Sequence, residues 1–172
     1  MHAKYGMWRF TMENQFAVLG DPYRYPAKEM KRPHRFNIEV VEAFVGTTTY
    51  TIEHGIVHRK SPKYPTLTRT LKLIEWQGFW SFSDYLNLWD WKSEYSPADI
   101  DLVFRDGMTW SLDIAFDKSK HVRAIGNNVY PSFSNETTST IAMDRFGLLL
   151  DFVDRMLLSS DNRIQTFYSV ET

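Results

Sequence analysis

Two histidines, His54 and His58, stand four positions apart. On a helix that spacing presents two imidazoles to one metal ion. The residues between them, Gly55-Ile56-Val57, read as turn and strand. On a strand, residues four apart lie about 13 Å from each other, too far to share an ion. Carboxylates crowd one stretch: Asp84, Asp90, Glu94, Asp99, Asp101, Asp106 and Asp113. A hydrolase of the paired-carboxylate type needs two of them across a cleft, and no local spacing fixes such a pair. Asp84 suits a helix start and Asp106 a turn. Any serine could meet one of the five histidines, but G-x-S-x-G is absent. So are the glycine loops that cradle phosphates. With no cysteine there is no thiol nucleophile, thiolate metal site or disulfide. The sequence therefore predicts no catalytic set, no metal and no cofactor.

Two clusters remain that could bind something. The first is aromatic: Trp76, Phe79, Trp80, Phe82, Tyr85, Trp89, Trp91 and Tyr95. Some of these must be core, and a plain large core is the leading reading. One short helix cannot easily bury all eight on one side. Exposed Trp and Tyr are good interface anchors. On that ground Trp80, Tyr85, Trp89, Trp91 and Tyr95 are predicted to bind a partner protein, with Asp90 and Glu94 at the rim. The second cluster is basic: Tyr23, Arg24, Tyr25, Lys28, Lys31, Arg32 and Arg35. Basic and aromatic residues interleaved in this way could hold single-stranded nucleic acid. A solvated, proline-containing loop is the leading reading of them.

Whole-chain charge weighs against the nucleic-acid alternative. The 172 residues carry 20 basic and 21 acidic side chains, a net charge of -1. That balance hides an asymmetry. Residues 1–75 hold 12 basic and 7 acidic side chains, a net of +5, and the remainder 8 and 14, a net of -6. At 43% hydrophobic the chain is too apolar to be disordered. Its length suits a single domain. No apolar run approaches a membrane span, and the start lacks a signal-peptide pattern. The expectation is a cytoplasmic protein with no membrane association.

The elements that must position these residues follow from periodicity. Trp8, Phe10 and Met12 suggest an opening strand, followed by a proline-containing loop to residue 35. Arg35 to Val45 reads as strand, with a bulge where Val40-Val41 shifts the phase. Thr47 to Glu53 returns as a hairpin partner, and His54-Gly55 turns again. Thr66 to Trp76 alternates, which predicts a further strand. Ser81 or Ser83 would cap a short central helix reaching Leu88. Thr109 to Phe116 is the clearest strand, with Trp110, Leu112, Ile114 and Phe116 on one face. Asp117 to Lys120 turns, and His121 to Ile125 pairs back. Ser139 or Thr140 would cap a long last helix whose apolar face carries Ile141, Phe146, Leu149, Leu150, Val153, Met156 and Leu157. Ile164 to Val170 would end the chain as a short strand or tail. The predicted class is α+β: a largely antiparallel sheet packed by a long C-terminal helix and a shorter central one. Residues 1–35 form the N-terminal arm, 36–158 the core and 159–172 the tail.

Three motifs stand in order: Trp89-Asp90-Trp91-Lys92-Ser93-Glu94-Tyr95, Asp106-Gly107-Met108-Thr109-Trp110, and Gly126-Asn127-Asn128-Val129-Tyr130-Pro131. This pattern resembles a group of uncharacterised small bacterial proteins with W-x-W…Y, D-G-x-x-W and G-x-N-x-Y-P motifs. The resemblance spans roughly residues 36–158 and is strongest over 85–131. It implies an α+β fold and a bacterial cytoplasmic origin, and it carries over no catalytic residue. Ser132 to Thr140 departs from it. Physically, Asp106-Gly107 predicts a tight turn with positive φ, and Gly126-Asn127-Asn128 a sharp bend.

The functional expectation is a non-enzymatic protein that binds another protein. An immunity protein that neutralises a toxin or effector is its concrete form. Nucleic-acid binding through residues 23–35 is one alternative. A small-ligand site or hydrolase in an aromatic cleft is the other.

Overall fold

Alternating burial along the strands fixes one inner and one outer face of the sheet. The computed structural model describes residues 32–100, 107–133 and 145–158. The strands are β1 (Arg35–Glu42), β2 (Gly46–Glu53), β3 (Ile56–Lys60), β4 (Leu67–Thr70), β5 (Glu94–Tyr95), β6 (Met108–Ala115) and β7 (His121–Asn127). The helices are α1 (Leu73–Tyr85) and α2 (Arg145–Leu158). Their sheet runs β4-β3-β2-β1-β6-β7-β5. Every pairing is antiparallel except β5 with β7. The α+β architecture is thus the one expected from the sequence.

Phe36, Ile38 and Val40 of β1 sit opposite Ile114, Leu112 and Trp110 of β6. All six are buried. Val122 and Ala124 of β7 extend this inner face. Helix α1 covers it with Trp76, Phe79 and Leu86 just beyond its end, and α2 with Phe146, Leu149, Val153 and Met156. Towards β3 and β4 the inner face becomes ionic. Buried Arg59 donates to Asp154 of α2 at 2.8 Å, and the Tyr50 hydroxyl donates to the same oxygen at 3.1 Å. Arg69 donates to the Met156 carbonyl and pairs with Glu75 at 2.6 Å. Two arginines therefore tie the helices to the far strands, where apolar side chains do so elsewhere.

Several expectations need correction. The strand predicted over Thr66 to Trp76 is the four-residue β4 followed by α1. Glu75 accepts the Lys72 N–H at 2.7 Å, which starts the helix there. Ser81 and Ser83 lie inside α1, and the Ser83 hydroxyl donates to the Phe79 carbonyl at 2.8 Å. The described helices are nearly equal, 13 and 14 residues. No bulge interrupts Val40-Val41, because Val41 simply faces outward in an unbroken ladder. Gly107 is required by a close approach: a Cβ there would stand 1.8 Å from Asn128 Oδ1. Gly126 and Asn127 belong to β7, and only Asn128 bends, at φ 55°. The strand at Trp8–Met12, the loop to residue 31, the Ser139 and Thr140 caps and the 159–172 tail lie outside the described residues.

Candidate functional site

The eight aromatics of residues 76–95 divide among three environments, with Trp76 and Phe79 fully buried in the first, the core. Trp91 and Tyr95 are core, 7% and 3% exposed. Their rings meet Trp110 at 6.2 and 5.6 Å. The Trp91 indole donates to the Leu86 carbonyl at 3.1 Å, and the Lys92 N–H donates to the Tyr95 hydroxyl at 3.0 Å. Burial pushes the Tyr95 phenol above its ordinary pKa. These two residues are therefore not surface anchors, which corrects the prediction from sequence. Asp90 and Glu94 remain exposed, but they do not rim a surface made by those rings.

Trp80 and Trp89 form a second group, half-buried and 5.5 Å apart. Phe116 closes it at 4.0 Å from Trp80. The Lys120 ammonium lies 5.9 and 5.3 Å from the two indole rings. Asp84 completes the arrangement, accepting from Lys120 at 2.9 Å and from the Trp89 indole at 2.5 Å. The cation-binding capacity of this box is thus used by the chain's own lysine, which pins the β6–β7 turn to α1. The third group is more open. Tyr85 is 43% exposed and meets Phe133 at 5.7 Å, while Phe82 stacks on Phe152 at 4.3 Å.

Of the basic cluster, Tyr23, Arg24, Tyr25, Lys28 and Lys31 lie outside the described residues. Arg35 pairs with Asp113 at 3.3 Å, and the Arg32 guanidinium packs against the His54-Gly55 turn. His54 is in that turn and His58 is on β3, where it contacts Thr68 at 3.4 Å. Among the described residues, no group of three or more His, Asp or Glu side chains could hold a metal. Nor is any helix there long and apolar enough to cross a membrane.

The feature that sequence reading missed is Phe44. It sits at the tip of the β1–β2 hairpin and is 97% exposed. Its φ is 65°, in the left-handed region that a bulky residue rarely occupies. The tip is well anchored: the Ala43 N–H donates to the Gly107 carbonyl and the Val45 N–H to the Glu42 carbonyl, both at 3.2 Å. The sequence reading carries the strand through Val45 and turns at Gly46, whereas β1 ends at Glu42 and the turn is made by residues 43–45. The signal that was present is Gly46, which takes φ 110° as β2 begins.

Beside the tip, the outer face of the sheet carries a groove of about 350 Å³. Val41, Thr109 and Asn127 line its near end, and Ser96-Pro97 form a wall where the chain leaves β5. Glu39 and Glu94 stand in it with Ser111 and Ile125 between them. Among the described residues no lysine, arginine or histidine lines it.

Comparison of the chain with protein-family models, with curated proteins and with solved structures gives no match.

Proposed function

We propose that this chain is a protein-binding protein, of the kind that neutralises a toxin or effector in the bacterial cytoplasm, and that it grips its partner through Phe44. The observation that carries this reading is the state of that one side chain. A phenyl ring almost fully in water gains nothing from the hydrophobic effect. Its left-handed backbone costs about 1 kcal/mol. Among the described residues nothing repays either. A hairpin tip held by two backbone hydrogen bonds and presenting an exposed aromatic ring suits a docking anchor. The surrounding outer sheet face, with Thr47, Thr49, Thr51 and Thr109 turned outward, supplies a polar rim of the usual interface type.

The test is a photoreactive phenylalanine analogue placed at position 44 in the native host cell. One discrete crosslinked protein is expected. The same analogue at Tyr64, also exposed, should not capture it. Capture of the same species from both positions, or of none from position 44, contradicts the reading.

A further inference from the structure

We infer that residues 164–170 of this chain strap the open corner where β4, the start of α1 and the end of α2 meet. They pair with the free edge of β4 and cover Leu73, Ile74 and Leu158.

The corner is defined by one arginine. Arg69 of β4 pairs with Glu75 in the first turn of α1 and donates to the Met156 carbonyl in the last turn of α2. Both helix ends are thereby held beside β4. That strand is the outermost of its side, and among the described residues no strand lies beyond it. Every second N–H and C=O of β4 therefore points away from β3. Leu73 and Ile74 lie in the first turn of α1, and Leu158 ends α2. All three are exposed, by 53%, 42% and 57%. A strand edge flanked by aliphatic side chains is a surface that folded proteins cover.

The chain itself supplies the cover. Residues 164–170 read Ile-Gln-Thr-Phe-Tyr-Ser-Val, with no charge, glycine or proline. Five of the seven are β-branched or aromatic. A segment of this composition seeks a strand edge. The five residues 159–163 that lead to it span about 17 Å when extended. They leave α2 two residues after Met156, whose carbonyl β4 already holds, so the β4 edge is within reach. The opposite edge, at β5, is six strand spacings away, about 29 Å, and is out of reach. In the added strand, Ile164, Thr166, Tyr168 and Val170 share one face, long enough to cover the three aliphatic side chains.

The chain has no cysteine, so Ser169→Cys carries a single nitroxide label on the full-length protein. The label should broaden the Thr68, Thr70 and Leu73 amides and leave Glu94 and Tyr95 of β5 sharp. Amide exchange of β4 is read on the full chain as well. Thr166→Pro removes a pairing N–H and should speed exchange of the β4 amides turned away from β3 about tenfold. Asn162→Pro, in the leading residues, should leave that exchange unchanged. Absence of broadening at β4, equal broadening at both edges, or equal exchange in the two proline variants overturns the inference. Broadening that passes from a spin-labelled chain to a separate isotope-labelled chain also overturns it, because a second copy then fills the corner.

Discussion

The indole of Trp110 lies against the bare Cα of Gly126, its cross-strand neighbour on β7. A Cβ on Gly126 would stand 2.3 Å from the ring. The same indole donates to the Val129 carbonyl at 3.0 Å and stacks on Phe146 at 4.3 Å. Two motifs far apart in the sequence, D-G-x-x-W and G-x-N-x-Y-P, are thus complementary halves of one packing unit. Gly107 and Asn128 repeat the relationship one step along. Asn128 Oδ1 accepts the Met108 N–H at 2.8 Å, in the space that a side chain at position 107 would fill.

Gly126→Ala is expected to destabilise the protein by about 3 kcal/mol through overpacking. Gly78→Ala is the control. A Cβ there meets only Phe152, at 3.9 Å, inside helix α1. It should stabilise by about 0.5–1 kcal/mol, the helical preference for alanine over glycine. Urea unfolding of both variants checks the pair. A neutral Gly126→Ala contradicts the packing account.

Tyr50 gives a pH dependence. Burial, reinforced by the Asp154 carboxylate, raises its phenol well above the ordinary value of 10.0. The unfolded chain releases this proton near pH 10 while the folded chain keeps it. The contribution of Tyr50 is therefore fully present below pH 10 and declines as pH rises beyond it. Urea unfolding at pH 9 and 11 should show this loss, and Tyr50→Phe should make it shallower. Some loss persists in the variant, because burial also raises Tyr95 and Tyr130. An unchanged slope in Tyr50→Phe contradicts the assignment.

Lys120 joins the β6–β7 turn to α1 through Asp84 and the two indoles. Lys120→Met keeps the methylene stem and removes the charge. A loss of about 1 kcal/mol is expected, the scale of a half-exposed ion pair with cation–π contact. Lys120→Arg should retain most of it. Thermal unfolding of the two variants distinguishes this from a role in stem packing alone, for which neither change would destabilise.

The sequence resolved the sheet well and the aromatic run poorly, for physical reasons. Trp110, Leu112 and Ile114 alternate without interruption because one face of β6 meets helices and the other faces outward. In Leu67, Arg69, Leu71 and Leu73 the same alternation runs past the end of a strand into α1. The helix itself shows no single apolar stripe. Phe79 faces the sheet, Phe82 meets α2 and Trp80 meets Phe116. With apolar contacts on three sides, the eight aromatics looked like a surplus that had to be exposed. Of that run only Tyr85 is exposed, and the most exposed aromatic among the described residues is Phe44, which local pattern merged into β1. Its exposure depends on where the β1–β2 turn falls, and that is set by pairing with β6.

The most direct measurement is Phe44→Asn, scored for stability and for retention of the partner identified by crosslinking. Asparagine tolerates the left-handed conformation, so the variant should be more stable by about 0.5 kcal/mol while partner binding is lost. A gain in stability with loss of binding is what a strained docking anchor predicts. Unchanged partner binding by a stably folded Phe44→Asn protein would contradict the account.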